Sequence, residues 1–171
     1  LFIVPLCLDE IEILYQDESL LLINKPSGLL SLSGKHPLNK DSVHFRLVQD
    51  FPSATMVHRL DFGTSGIMIV ALNKPVNASL TKQFQARTID KTYTALLHGH
   101  LADDQGRIDY PIAKDRPNFP LQKICYVEGK AAQTDYRVLD RLESPCATSM
   151  EQTKSVLRTT RVLFSPESGR T

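Results

Sequence analysis

The densest concentration of groups able to do chemistry is His58-Arg59-Leu60-Asp61-Phe62-Gly63-Thr64-Ser65-Gly66, which runs directly into the apolar stretch Gly66 to Leu72. Loops mounted on a rigid scaffold commonly carry function. Flanked by Arg59 and by hydroxyl donors, the Asp61 carboxylate can serve as nucleophile or as base. The same residues also fit a plain turn, in which Asp61 accepts N–H groups from Gly63 or Thr64 and pairs with Arg59. Metal binding by His58 and Asp61 is disfavoured, because no second histidine or carboxylate lies at a ligand spacing. Thr64-Ser65-Gly66 lacks the Gly-x-Ser-x-Gly frame of a hydrolase elbow, and Asn24-Lys25-Pro26-Ser27-Gly28 lacks the Gly-Lys-Ser/Thr ending of a phosphate loop.

The elements that must position this cluster are mostly strands. Ile11 to Tyr15 and Ser19 to Asn24 read as a strand pair around the turn Gln16 to Glu18, ended by Lys25-Pro26-Ser27-Gly28. From Asp41, the residues Val43, Leu47, Val48 and Phe51 form a helical stripe that stops at Phe51-Pro52; a second helix follows Pro75, with Val76, Leu80 and Phe84 on one face. Gly66 to Leu72, apolar throughout, predicts a strand covered on both faces. Thr92 to Leu101, Gln133 to Leu139 and Val156 to Phe164 read as further strands, with Glu143 to Lys154 a polar, loop-like insertion. Strands outnumber helices without strict alternation, which predicts α+β: one mainly antiparallel or mixed sheet flanked by helices and loops, in a single domain over 1–171.

Composition narrows the classes. At 42% hydrophobic and 23% charged residues, with no repeat, the chain is globular rather than fibrous or disordered. It has no apolar run long enough for a spanning helix, and the opening Leu1 to Leu8 lacks the features of a signal peptide, so a cytoplasmic protein without a membrane partner is expected. Cys7, Cys125 and Cys146 show no paired spacing and are expected to be reduced thiols. Net charge is +1, but five of the 19 acids fall in the first 20 residues, which hold no Lys or Arg. The remainder carries 20 basic against 14 acidic residues, a balance compatible with a polyanionic partner.

His-Arg-Leu-Asp followed after two residues by Thr-Ser-Gly resembles the signature of the RluA family of RNA pseudouridine synthases. The resemblance extends through Ile23 to Gly28, Gln83-Phe84 with Arg87, Lys91 and Tyr93, and Gly129 to Thr134, so it spans residues 11 to 171. Tyr110-Pro111-Ile112, Asp115 to Asn118 and Gln122 to Tyr126 are most similar to the small member that acts on both tRNA and 23S rRNA and begins at the catalytic domain, without an S4 module.

The resemblance implies a cofactor-free and metal-free isomerisation of uridine, in the tRNA anticodon stem-loop at position 32 and in a 23S rRNA stem-loop at position 746, by a monomer. It implies that Asp61 is the essential carboxylate, that Tyr93 lies beside the uracil, and that Arg59 holds the flipped nucleotide. His58 is implied to order the loop or meet the RNA backbone, and Lys25, Arg87 and Lys91 to meet phosphates. Ser168-Gly169-Arg170-Thr171 resembles the start of a longer family block whose arginine, here Arg170, pairs with the catalytic aspartate. The chain stops there, which leads us to expect a C-terminally shortened form, and makes an RNA-binding module without catalysis the alternative reading.

Overall fold

The computed structural model describes residues 3–118, 121–146 and 155–168, which divide into two compact units, Leu1–Ile89 and Asp90–Thr171. In the first unit, β1 (Glu12–Gln16) and β2 (Leu20–Lys25) make an antiparallel hairpin. Its turn forms because the Asp17 side chain accepts the N–H groups of Ser19 at 2.7 Å and Leu20 at 2.8 Å, donors that also hold the Asp17 carboxyl below its usual range. Ser42 accepts the Phe45 N–H at 3.1 Å and caps the start of α1 (Val43–Asp50). The two-residue β3 (Thr55–Met56) and β4 (Gly66–Ala71) complete the sheet in the order β1-β2-β4-β3.

Val43 and Leu47 of α1 are buried, as are Leu21, Ile23, Leu29, Met68 and Val70, which together form the core of this unit. α2 (Lys74–Ala86) starts at an Asn73 cap with Pro75 in its first turn, and its stripe Val76, Leu80 and Phe84 is half-buried. It ends with Arg87 in the left-handed region at φ 57°, where Arg87 N–H meets Phe84 C=O and Thr88 N–H meets Gln83 C=O.

The expectation that β4 is covered on both faces is corrected. Met68 and Val70 are fully buried, but Ile67 is 66% exposed. It stands in register with Asn24 of β2, which in turn faces Glu12 of β1, so that row of the sheet is a polar one turned to solvent. Apolar residues on a strand do not by themselves say that both faces are buried.

The second unit begins with β5 (Tyr93–His98) and β6 (Gln105–Asp109), continues through a short antiparallel pair, β7 (Ile112–Lys114) and β8 (Gln122–Ile124), and ends with the long strands β9 (Gln133–Cys146) and β10 (Ser155–Pro166). The four longer strands form an antiparallel sheet in the order β5-β10-β9-β6. Its register aligns Tyr93, Phe164, Tyr136 and Gly106 across all four strands. The rings of Phe164 and Tyr136 lie 6.5 Å apart, and a Cβ on Gly106 would sit 2.8 Å from the Tyr136 ring, so the row needs glycine at its end.

Two further expectations are corrected. The elements are spread over three sheets rather than one. Glu143 to Cys146 continue β9 in register with the start of β10, and the Arg158–Glu143 ion pair ties the strands together at 3.0 Å; residues 147–154 of the expected insertion lie outside the described residues. The α+β class with predominantly antiparallel sheets holds. Among the described residues, no helix is long and apolar enough to cross a membrane.

Candidate active site

Asp61 stands on a tight turn between the buried Leu60 and the start of β4. The turn is closed through the backbone, with Thr64 N–H donating to the Asp61 carbonyl at 3.1 Å. The carboxylate is therefore left out of the turn that the residue types also permitted. Among the described residues of this unit, no hydrogen bond or ion pair engages the Asp61 carboxylate or the Arg59 guanidinium, and both residues are exposed.

The turn rests on the segment that follows β2. Gly28, at φ +78°, donates its N–H to the Phe62 carbonyl at 2.9 Å, and the Ser27 hydroxyl donates to the Gly63 carbonyl at 2.9 Å. Ser31 Oγ donates to the Leu60 carbonyl at 2.6 Å and accepts the Leu60 N–H at 3.0 Å. Each residue from Leu60 to Gly63 except Asp61 is thus tied by its backbone to the 27–31 segment, and Asp61 is presented between them.

Lys25, expected at an RNA phosphate, is fully buried instead. Its Nζ donates to the carbonyls of Leu29 at 2.7 Å, Pro26 at 2.9 Å and Phe62 at 3.4 Å. Burial pulls its ammonium below the ordinary range, opposed by the charges of Cys7 and Asp61. An ammonium enclosed this way supports the turn and cannot reach a phosphate.

His58 is also anchored. Its Nε2 accepts the Ile69 N–H at 3.0 Å, which assigns the ring proton to Nδ1, and its ring stacks on Phe84 of α2 with centroids 4.7 Å apart. The histidine joins the signature loop to β4 and α2. Arg87 is exposed at the end of α2. In the second unit, Lys91 is half-buried just before β5, and Tyr93 is the half-buried first residue of that strand. Arg170 lies outside the described residues. Cys7 and Cys125 are free thiols, and among the described residues no group of three His, Cys, Asp or Glu side chains is placed to hold a metal.

Ser31 was not singled out by sequence reasoning. An isolated serine in a loop carries no spacing signal, and only its partner across 29 residues of chain reveals what it does.

This arrangement is that of a known class. The family described as RNA pseudouridylate synthase matches residues 19–171, and the chain belongs to it. It is 48% identical over 158 residues to the dual-specificity RNA pseudouridine synthase RluA of Yersinia pestis, covering 92% of this chain and 70% of that protein. It is also 48% identical over 128 residues to the protein of the same name from Escherichia coli strain K12, covering 75% of this chain and 58% of that one. Among solved structures, human RNA pseudouridylate synthase domain containing 1 is similar with a TM-score of 0.72 at 27% identity, over 97% of this chain and 63% of that one. The chain thus spans little more than half to two thirds of the length of most of these relatives.

Proposed function

We propose that this chain is catalytic machinery of an RNA pseudouridine synthase that isomerises uridine in structured RNA, with a tRNA anticodon stem-loop and a 23S rRNA stem-loop as its substrates. The reaction breaks the N1–C1′ bond, rotates the uracil and joins C5 to C1′; the proton lost from C5 is balanced by one gained at N1. Nothing is oxidised and no group is imported. The observation that carries the reading is the Asp61 carboxylate, exposed on a turn whose neighbouring backbone is hydrogen-bonded on both sides. A carboxylate so presented is available to attack C1′ or to deprotonate the ribose.

A stacked uridine cannot offer C1′ to Asp61, so the nucleotide must leave the helix stack at a cost of a few kcal/mol. Arg59, exposed two residues before Asp61, supplies a planar cation to hold the flipped nucleotide. Tyr93 packs against the uracil, and its hydroxyl handles the C5 proton. Arg87 and Lys91 meet phosphates, and Arg170 is assigned by the family block alone to pair with Asp61. The enzyme works as a monomer in the cytoplasm, beside its RNA substrates. The reading of two RNA substrates is supported by the 48%-identical relatives, which are named dual-specificity RNA pseudouridine synthases.

The test is pseudouridine content of anticodon and 23S stem-loop transcripts after nuclease digestion. The wild type converts one uridine in each, and Asp61→Ala converts none while binding RNA with affinity close to wild type, because affinity comes chiefly from phosphate contacts. Pseudouridine formed by Asp61→Ala would refute the assignment.

A further inference from the structure

Resting on that reading, we propose that Ser31 is a positioning residue for catalysis: one buried hydroxyl holds both peptide planes flanking Leu60 and thereby sets the directions from which Arg59 and Asp61 emerge. Ser31 is 5% exposed and Leu60 8%. The Leu60 N–H belongs to the peptide shared with Arg59, and the Leu60 C=O to the peptide shared with Asp61. Ser31 Oγ accepts from the first at 3.0 Å and donates to the second at 2.6 Å. A hydroxyl has one proton to donate and lone pairs to accept, so a single side chain satisfies both groups.

The serine is itself held by the start of α1. Its carbonyl accepts the His44 N–H at 3.3 Å, and the preceding Leu30 carbonyl accepts the Val43 N–H at 2.7 Å. A continuous path therefore runs from the first turn of a core helix, through one hydroxyl, to the backbone of the two signature residues. The other staples, from Ser27 and Gly28, reach Gly63 and Phe62 on the far side of Asp61. Ser31 acts on the near side, directly on the peptide that Leu60 shares with Arg59, while His58 is held separately by Ile69 and Phe84. Displacements of an ångström or less in reacting groups lower rates by up to about 100-fold, which makes a two-point backbone clamp at this position consequential.

The test compares Ser31→Ala, Ser31→Thr and Asp17→Ala, at a temperature where denaturation curves show each to be folded. Asp17 closes the β1–β2 turn, at the opposite end of β2 from Lys25, so its loss destabilises the same unit without touching α1 or the Asp61 turn. Ser31→Ala is expected to lower the single-turnover rate about 10- to 100-fold with RNA affinity within about twofold of wild type. Ser31→Thr, which keeps the hydroxyl, recovers most of the rate, and Asp17→Ala keeps it. Amide hydrogen exchange at Leu60 and Thr64 accelerates in Ser31→Ala and not in Asp17→Ala. Wild-type turnover by Ser31→Ala, or unchanged exchange at Leu60, overturns the proposal. A wild type that forms no pseudouridine refutes the proposed function instead, and the exchange measurement still decides the clamp.

Discussion

Replacing Lys25 by Met tests whether a buried ammonium supports the Asp61 turn. Methionine keeps most of the aliphatic stem in the space that Lys25 fills and removes the charge and the donors. The two short contacts, to Leu29 C=O at 2.7 Å and Pro26 C=O at 2.9 Å, are lost outright; the 3.4 Å contact to Phe62 C=O, which joins Lys25 to the turn itself, is longer and adds little to the energy. A buried carbonyl left without a donor costs about 1–3 kcal/mol, so the pair costs about 2–6 kcal/mol. Removing the need to bury a charge offsets part of this. The net expectation is a loss of about 2–4 kcal/mol, read as a fall of about 1–2 M in the urea midpoint at a slope of about 2 kcal/mol/M. The pH dependence has a definite sign. Burial lowers the Lys25 value below its ordinary 10.5 in the folded protein. Between the lowered value and 10.5 the unfolded chain binds more protons, so the wild type gains stability relative to Lys25→Met as pH rises through that window, and the difference is constant at lower pH. A midpoint for Lys25→Met equal to that of the wild type, or a stability difference that shrinks on raising the pH, would refute the account.

Arg87→Gly should act in opposite directions on stability and binding. Arg87 holds φ 57°, a region that costs a non-glycine residue about 1–2 kcal/mol, so glycine raises the denaturation midpoint while RNA affinity falls and its salt dependence weakens by about one phosphate contact. Salt titrations of RNA binding beside urea curves decide it, and unchanged affinity would leave Arg87 as a helix end only. Gly106→Ala should cost about 1–3 kcal/mol by driving a Cβ to 2.8 Å from the Tyr136 ring, with a change in near-ultraviolet circular dichroism as the Tyr136 and Phe164 rings move. An unaltered spectrum and midpoint would show that the aromatic row yields freely.

What the sequence made legible follows from how local each signal is. The β1–β2 hairpin, both helices and β4 are written in short patterns: turn residues at Gln16 to Glu18, the stripe of Val43, Leu47, Val48 and Phe51, the stripe of Val76, Leu80 and Phe84 after Pro75, and the apolar run Gly66 to Leu72. The strand pairings of the second unit were less visible, because β6 (Gln105–Asp109) is mostly polar and exposed, and its place is fixed by Gly106 meeting Tyr136 and by Arg107 pairing with Asp135 across the sheet at 2.8 Å. The Asp61 turn shows the same division within a single site. The signature marks Asp61 and Arg59 as candidates for chemistry by their types and spacing alone. Their supports are long-range: Lys25 and Ser31 reach Phe62 and Leu60 over 37 and 29 residues. Lysine in a loop reads as a surface cation until a fold encloses it, and here enclosure turns a residue expected to bind RNA into one buried against the Asp61 turn. A motif therefore identifies the groups that face substrate more readily than those behind them, because burial decides which of two chemically similar lysines is free to leave the protein and meet a phosphate.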